Sequence, residues 1–332
     1  MSPKRPQPPA GDPEGLRAQL RRYLAHLAEK NYSPETVESR ERLLGFFITW
    51  CEERGVLRPV EVDKKLLEAY QRKLFHHRKA NGDPLCVGSQ HLRLVQLRHW
   101  FAWMAKGGTL AFSPASELEL PRVEKRLPRG VLSAREAETA VGMAEPYTTL
   151  GLRDRAMLET LYSTGIRRSE LVGLALKDVD WERGTVLVRL GKGKKDRMVP
   201  IGERALAWVR KYRDEARPEL MLGRADEGVL FVSARGKALK APSLTALAGD
   251  YVRKAGLGGR GACHLFRHTM ATLMLENGAD IRFIQEMLGH ADLSATQIYT
   301  RVSIGKLKEV HTKTHPGRLA VPRSQADDGD EV

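Results

Sequence analysis

The sequence predicts a mainly α protein with a small antiparallel β-sheet, divided into a helical N-terminal domain and a mixed α+β C-terminal domain. Three observations support this. Apolar residues recur at helical spacing in the N-terminal third of the chain. This periodicity lapses in a proline-rich, basic stretch at residues 108–130. Beyond it, helical patterns are interspersed with short segments of alternating polarity, which are typical of strands. With 332 residues, the chain is long enough for two domains with their own cores.

Four helices are predicted in the N-terminal domain. The first covers residues 16–27, and the second begins after Ser33, a capping residue followed by proline, and ends near Gly55. The third and fourth are expected at residues 62–80 and 88–106, each ended by a glycine. Together they form a small helical unit.

The C-terminal domain is expected to combine helices with a β-hairpin. A helical pattern starts from Leu132, and Ser133 is expected to cap the helix. Further helices are predicted at residues 152–163, 203–214, 242–255, 265–277, 281–288 and 294–299. Alternating polarity predicts a hairpin whose strands are residues 185–190 and 197–200, and a third short strand at residues 229–232.

The same patterns set the domain limits. We expect a disordered N-terminus at residues 1–14, the helical domain at 15–107, a basic linker at 108–130, the mixed domain at 131–316 and a disordered acidic tail at 317–332. A solvated connector without contacts is the simplest interpretation of the linker, although its charges suit a phosphate backbone.

Composition and charge narrow the class of protein. Lys and Arg outnumber Asp and Glu by 55 to 41, and the pI near 9.8 predicts a polyanionic partner: DNA, RNA or an acidic membrane surface. Three scattered cysteines argue against a disulfide framework and for the reducing cytoplasm. The N-terminus lacks the apolar core of a signal peptide, and no apolar run approaches the roughly 18 residues that a membrane helix needs.

Basic side chains and one tyrosine recur in short motifs of the mixed domain. Guanidiniums clamp phosphate, imidazoles transfer protons, an ammonium protonates a leaving oxygen and a phenol attacks phosphorus. The candidates for phosphoryl transfer are Arg167, Lys192, His264, Arg267, His290 and Tyr299, with Glu170 placed to pair with the first arginine.

ATP and metal binding do not fit these motifs. The glycine-rich turn around Lys192 has Val186 where a phosphate loop needs its first glycine. His264 and His268 have metal-ligand spacing, but Leu265 stands where a zinc protease carries glutamate, and no nearby side chains complete a four-ligand site. His268 is interpreted as a packing residue or a support of its neighbours rather than as a catalytic residue.

Each motif taken alone also has a structural explanation. Arg167 and Glu170 suit a surface ion pair, and Lys192 suits a solvated turn. His290 suits a cap on helix carbonyls, and Tyr299 suits a core or rim position. The spacing of all the candidate residues along the chain is what favours phosphoryl transfer over these structural explanations.

The motifs resemble, in order and spacing, those of the tyrosine recombinases, also called the phage integrase family, and are most similar to the Xer-like bacterial branch. The resemblance rests on YSTGIRRSEL at 162–171, GKG at 191–193, HLFRH at 264–268, LGH at 288–290 and Tyr299, and it covers roughly residues 16–310. It implies a helical core-binding (SAM-like) DNA-binding domain followed by a tyrosine recombinase catalytic domain.

The resemblance also implies roles for the site residues. Tyr299 would attack the scissile phosphate and form a 3′-phosphotyrosine, while Arg167 and Arg267 bind the non-bridging oxygens. Lys192 would protonate the leaving 5′-oxygen. His264 would act as base and phosphate ligand, His290 would donate a hydrogen bond to the phosphate, and Glu170 would orient the surroundings of the first arginine.

The expected activity is site-specific DNA strand exchange without metal, ATP or another cofactor. The expected partners are double-stranded DNA, further recombinase subunits in a tetramer on two paired sites and, as in some relatives, a second recombinase or an accessory protein, with no membrane. Two alternatives share much of the pattern: a type IB topoisomerase and a catalytically silent DNA-binding protein. Chromosome or plasmid resolution, integration and inversion are all compatible with the sequence.

Overall fold

The computed structural model describes residues 12–123, 131–189, 196–258 and 261–289. The chain divides into two compact units, Met1–Lys125 and Arg126–Val332. The predicted N-terminal disorder, the helix at 294–299 and the acidic tail fall wholly or largely outside the described residues. Within the described ranges, no helix combines the length and apolarity needed to cross a membrane.

The first unit contains the four helices expected from the sequence: α1 (Leu16–Glu29), α2 (Pro34–Glu52), α3 (Lys64–His76) and α4 (Val87–Lys106). The Ser33 hydroxyl accepts a hydrogen bond from the Thr36 amide, so the predicted cap of α2 is confirmed. Asp63 caps α3 in the same way through the Leu66 amide. This cap explains why α3 begins two residues later than the apolar pattern does.

Aromatic side chains fill the core of this unit. Phe47 of α2 meets Tyr70 of α3 edge-on at a centroid distance of 5.0 Å and Phe101 of α4 at 6.1 Å. Ala115 and Leu118 are buried in the same core. The apolar residues in the first part of the predicted linker therefore pack on the helical unit, whereas residues 124–130 lie outside the described residues. The domain limits themselves stay predictions.

The second unit is built around α6. Its described helices are α5 (Ala134–Gly142), α6 (Thr149–Thr164), α7 (Arg168–Val172), α8 (Glu203–Lys211), α9 (Arg217–Met221), α10 (Ala241–Lys254), α11 (Ala262–Glu276) and α12 (Ile281–Leu288). A π-helical segment, Tyr212–Ala216, joins α8 to α9. Helices α5, α8 and α11 all pack against α6. The mainly α fold with a small sheet is confirmed.

Three short antiparallel strands form the sheet in the order β1 (Val179–Asp180), β2 (Thr185–Val188) and β3 (Arg197–Pro200). Val186 of β2 pairs with Val199 of β3, and both valines are buried, as the alternating pattern requires. The predicted hairpin is confirmed. Lys192 belongs to the connection between β2 and β3, which lies outside the described residues.

The prediction of a third strand at residues 229–232 is wrong. Val229 and Val232 form only isolated bridges, and the third strand of the sheet is β1. The carbonyl oxygens of these residues are used by side chains instead: Arg217 donates to Val229 and Arg153 donates to Val232. With two residues, β1 is too short for any periodicity to reveal it.

Candidate active site

Two helices of the second unit end in left-handed glycines that lie close together. Gly165 ends α6 with φ 59°, and Gly289 ends α12 with φ 62°. Glycine adopts this conformation without strain, which is why it terminates helices so often. A side chain on Gly165 would overlap Met270 and come within 3.2 Å of Leu288 of α12. The carbonyl groups at both helix ends are thereby available to arginines.

Arg267 connects the two helix ends. It lies on α11 and is 4% exposed. Its Nη1 donates to the carbonyl oxygen of Gly165 at 2.6 Å and its Nη2 to that of Leu288 at 2.8 Å. Carbonyl groups at helix C-termini carry partial negative charge, so they stabilise a buried cation. The two helix ends therefore fix the position of this guanidinium in the site.

Arg167 lies at the start of α7, three residues before Glu170. Its Nη1 donates to Glu170 Oε1 at 2.7 Å, its backbone amide donates to Glu170 Oε2 at 2.7 Å, and its Nη2 donates to the Gly289 carbonyl at 3.2 Å. The predicted ion pair is therefore present, but it is a part-buried support of the site rather than a surface pair. Arg167 and Arg267 converge on the same end of α12.

Arg197 is a third arginine of this cluster, and the sequence motifs missed it. It lies on β3, where its Nη1 and Nη2 donate to the two carboxylate oxygens of Glu170 at 3.0 and 2.8 Å. Its Nε donates to the Met287 carbonyl at 2.9 Å. The available signal was a charged side chain two residues from buried Val199, on the same face of an alternating strand.

Glu170 is therefore held by two arginines. Burial opposes its ionisation, but the hydrogen bonds from Arg197 and from the amide and side chain of Arg167 outweigh burial and lower the pKa of Glu170 to about 2. The carboxylate stays ionised at neutral pH. It links the first predicted arginine to the strand that follows the Lys192 hairpin.

His264 lies in the first turn of α11, one helical turn before His268, because α11 begins three residues earlier than predicted. Partial burial, together with the charges of Arg267, Arg168 and Arg167, lowers the pKa of His264. The residue is exposed, so its neutral imidazole is accessible beside the arginines. The two imidazole centroids are 6.4 Å apart, and burial lowers the pKa of His268 as well.

The described structure thus brings together four of the seven predicted site residues: Arg167, Glu170, His264 and Arg267. Lys192, His290 and Tyr299 lie outside the described residues. In sequence, His290 directly follows Gly289. Two guanidiniums with an adjacent neutral imidazole form an anion-binding site of the kind that a phosphoryl-transfer enzyme needs.

Comparisons with known proteins identify the class more closely. Residues 131–305, more than half of the chain, match the Phage integrase family. The chain is 49% identical to "Tyrosine recombinase XerC 2" of Ralstonia nicotianae over 322 residues, which cover 96% of this chain and 92% of the relative. The chain therefore belongs to the phage integrase family of tyrosine recombinases, on its Xer-like branch.

Two solved structures share the fold. The XerH site-specific recombinase, crystallised with a palindromic difH substrate in a post-cleavage complex, gives a TM-score of 0.67 at 21% identity. The match covers 89% of this chain and 84% of that one. A lambda integrase tetramer bound to a Holliday junction gives a TM-score of 0.64 at 20% identity, covering 86% and 77%.

Proposed function

We propose that this site-specific recombinase cuts and rejoins duplex DNA with Tyr299 as the nucleophile and exchanges strands between two sites. The observation that carries the proposal is the pair of guanidiniums, Arg167 and Arg267, fixed at the end of α12 with His264 beside them. A phosphate has two non-bridging oxygens that such a pair can bind. Membership of the tyrosine recombinase family supports the choice of substrate.

In the cleavage step, the scissile phosphate is transferred from the 5′-oxygen of the DNA to Tyr299. The Tyr299 phenol oxygen attacks phosphorus and gives up its proton to His264, and a bond forms between tyrosine and the 3′-phosphate. The bond from phosphorus to the 5′-oxygen breaks, and Lys192 supplies the proton that makes the 5′-hydroxyl. His290 donates a hydrogen bond to a phosphate oxygen. Because the phosphotyrosine bond replaces the phosphodiester bond, the same steps in reverse join a new 5′-hydroxyl.

The charge of the site favours both ends of this step. A tyrosine has an ordinary pKa near 10, so only about one phenol in a thousand is ionised at neutral pH. Nearby cations favour the phenolate and the charge that develops on the phosphate. The lowered pKa of His264 keeps its imidazole neutral and able to accept a proton.

We assign double-stranded DNA and further recombinase subunits as partners, in a tetramer on two paired sites. The XerH complex with its difH substrate and the lambda integrase tetramer on a Holliday junction, which share this fold, support the assignment. A second recombinase or an accessory protein is a further expected partner. We place the protein in the cytoplasm. Strand exchange is favoured over the type IB topoisomerase and silent-binder alternatives because the relatives of the chain include named tyrosine recombinases.

The decisive test is Tyr299→Phe on a suicide duplex. A binding site is first selected from random-sequence DNA with the purified protein, and a nick beside the cleavage position traps the covalent adduct, which denaturing electrophoresis detects. We expect Tyr299→Phe to bind DNA within about threefold of wild type but to form no adduct.

The matched control is Tyr147→Phe, since Tyr147 is an 87% exposed tyrosine of the same unit. This variant should form the adduct at the wild-type rate. An adduct that persists in Tyr299→Phe would show that another residue is the nucleophile.

A further inference from the structure

We infer that Arg197 is a positioning residue for strand cleavage. It acts through Glu170 on Arg167 and through the Met287 carbonyl on the last turn of α12, from which the chain continues to His290. The inference rests on the proposed function, because the groups being positioned are those assigned to the phosphate. Arg197 belongs to none of the motifs that identify the family here.

The hydrogen bonds of Arg197 join three separate segments. Its Nη1 and Nη2 bind Glu170 of α7, its Nε binds the Met287 carbonyl of α12, and its own backbone lies in β3. These partners are 27 and 90 residues away in sequence. A single planar group therefore fixes the distance between α7, α12 and the strand that follows the Lys192 connection.

Its hydrogen bonding differs from that of Arg167, which is proposed to bind the phosphate. All three nitrogens of Arg197 already donate to protein acceptors, and its side chain is only 12% exposed. Arg167, in contrast, is 21% exposed and places one Nη on a carboxylate and the other on a carbonyl. Arg197 is thus placed to hold the neighbours of the phosphate rather than the phosphate itself.

Close packing makes the end of α12 sensitive to this side chain. A Cβ on Gly289 would lie 3.0 Å from both Cζ and Nε of Arg197, which shows how closely the guanidinium covers this glycine. Gly289 in turn accepts the hydrogen bond from Arg167. If Arg197 is replaced by a shorter side chain or by one without a planar guanidinium, the Gly289 carbonyl and the carboxylate of Glu170 are free to shift together.

Lysine is the informative replacement because it keeps the charge but not the geometry. An ammonium is a point charge on a flexible stem, so it cannot bind both carboxylate oxygens and a carbonyl in one plane. A role that needs only charge is rescued by Arg197→Lys, whereas a positioning role is not.

The experiment measures cleavage rate and DNA affinity separately. On the selected suicide duplex, we expect Arg197→Lys and Arg197→Gln to lower the cleavage rate at saturating DNA by about 100-fold. The dissociation constant for DNA should stay within about threefold. A wild-type rate in Arg197→Lys, or a loss of affinity as large as the loss of rate, would overturn the inference.

A matched control comes from another buried carboxylate held by two arginines. Glu159 is 1% exposed and binds Arg155 and Arg204, as Glu170 binds Arg167 and Arg197. Arg204→Lys and Arg204→Gln should leave the cleavage rate within about threefold. An equal loss of rate in these variants would mean that general destabilisation explains the effect of Arg197.

Glu170→Gln tests the same inference without altering Arg197. It keeps the shape of the side chain but weakens its hold on both arginines, so it should also slow cleavage. Because Arg197 is inferred to act partly through Glu170, adding Arg197→Lys to Glu170→Gln should lower the rate by much less than the about 100-fold expected of Arg197→Lys alone. A wild-type rate in Glu170→Gln, or fully multiplicative losses, would contradict the inference even if Arg197→Gln fails to fold.

A duplex with sulfur in place of the bridging 5′-oxygen separates Arg197 from the general acid. Sulfur leaves without a proton, so this substrate should relieve the defect of Lys192→Ala and leave that of Arg197→Lys unchanged. If the sulfur-containing duplex also restored cleavage by Arg197→Lys, Arg197 would be acting through Lys192, and the inference would be overturned. If Tyr299→Phe still forms the adduct, the proposed function fails instead, which the Arg197 variants do not test.

Discussion

At the residue scale, both carboxylate oxygens of Glu170 are hydrogen-bonded within the site. Its oxygens accept hydrogen bonds from the backbone of Arg167 and from two guanidiniums, and its side chain is 6% exposed. Hydrogen bonds to charged groups are roughly twice as strong as those between neutral groups. Removing one partner of a buried ion pair leaves the charge of the other uncompensated. The residue therefore contributes to stability and to the geometry of Arg167 together.

We predict that this carboxylate makes stability depend on acid pH. Its pKa is lowered to about 2 in the folded chain, so the stabilisation is complete above its ordinary value near 4.5 and is lost as pH falls toward 2. The contribution is on the order of 2–3 kcal/mol. Urea unfolding of the wild-type protein at pH 3 to 7 should show this loss, and Glu170→Gln should be less stable at pH 7 but flatter with pH.

Glu138→Gln provides the control for that measurement. Glu138 is a half-exposed partner of Arg204 in the same unit, with a side chain 45% exposed. Surface pairs contribute only about 0–1 kcal/mol, so its variant should follow the wild-type pH profile. A Glu170→Gln profile parallel to wild type would show that Glu170 does not titrate in this range.

Local spacing explains which of these residues the sequence could identify. Arg167 and Glu170 are three positions apart, so their pairing follows from helix geometry alone. Arg197 meets Glu170 only because the sheet folds against α7 and α12, and no local pattern encodes that approach. The contacts of Arg267 with Gly165 and Leu288 likewise depend on the packing of α11 against α6.

At the level of elements, the site is organised by the ends of helices rather than by their middles. Gly165 must adopt a left-handed conformation and must also lack a side chain, because Met270 and Leu288 occupy the space beside it. The first requirement is common at helix C-termini, whereas the second is specific to the meeting of α6, α11 and α12. The two requirements can be separated by mutation.

We predict that Gly165→Ala destabilises the protein by about 2–4 kcal/mol, as the sum of backbone strain and overpacking against Met270. Gly256→Ala is the matched control, since Gly256 has φ 75° and open space around its Cα. Gly256→Ala should lower the free energy of unfolding by only about 1 kcal/mol. Denaturant unfolding of both variants checks this, and equal losses would show that the close packing at Gly165 is unimportant.

The same kind of local pattern predicted the β2–β3 hairpin correctly and a strand at residues 229–232 wrongly. The pairing of β2 with β3 follows from alternating polarity on both sides of a glycine-rich connecting sequence. The segment 229–232 has the same apolar character, but its carbonyls bind Arg217 and Arg153 instead of a neighbouring strand. Only the tertiary fold decides between these outcomes, because both bury the same side chains.

At the scale of the whole molecule, the protein has two separate cores and a high positive charge. The charge suits the binding of a polyanion. The formal net charge is +14. In the first unit, Arg21, Arg42 and Lys65 are exposed, and in the second unit Arg135 and Arg183 are exposed. Arg267, in contrast, is buried. Exposed cations are screened by salt within about 10 Å, whereas buried ones are screened much less.

We therefore predict that salt weakens DNA binding strongly but cleavage only slightly. If six to ten phosphates are contacted, affinity for the selected site should fall by about 10³–10⁵ between 50 and 200 mM salt. At saturating DNA, the cleavage rate should change by less than about threefold over the same range, because Arg267, which is proposed to bind the reacting phosphate, is buried and Arg167 is half-buried. Filter binding and single-turnover cleavage across a salt series measure the two quantities on the same duplex.

Arg267→Gln separates the two kinds of cation within that experiment. It removes one phosphate contact of many, so the slope of log affinity against log salt should decrease by about one at most. The cleavage rate should fall by at least about 100-fold, since the lost charge is the one proposed to stabilise the reacting phosphate. If the slope of log affinity against log salt is close to zero for the wild-type protein, the net positive charge does not serve DNA binding. A large change of this slope in Arg267→Gln would mean that the buried arginine organises the wider DNA interface.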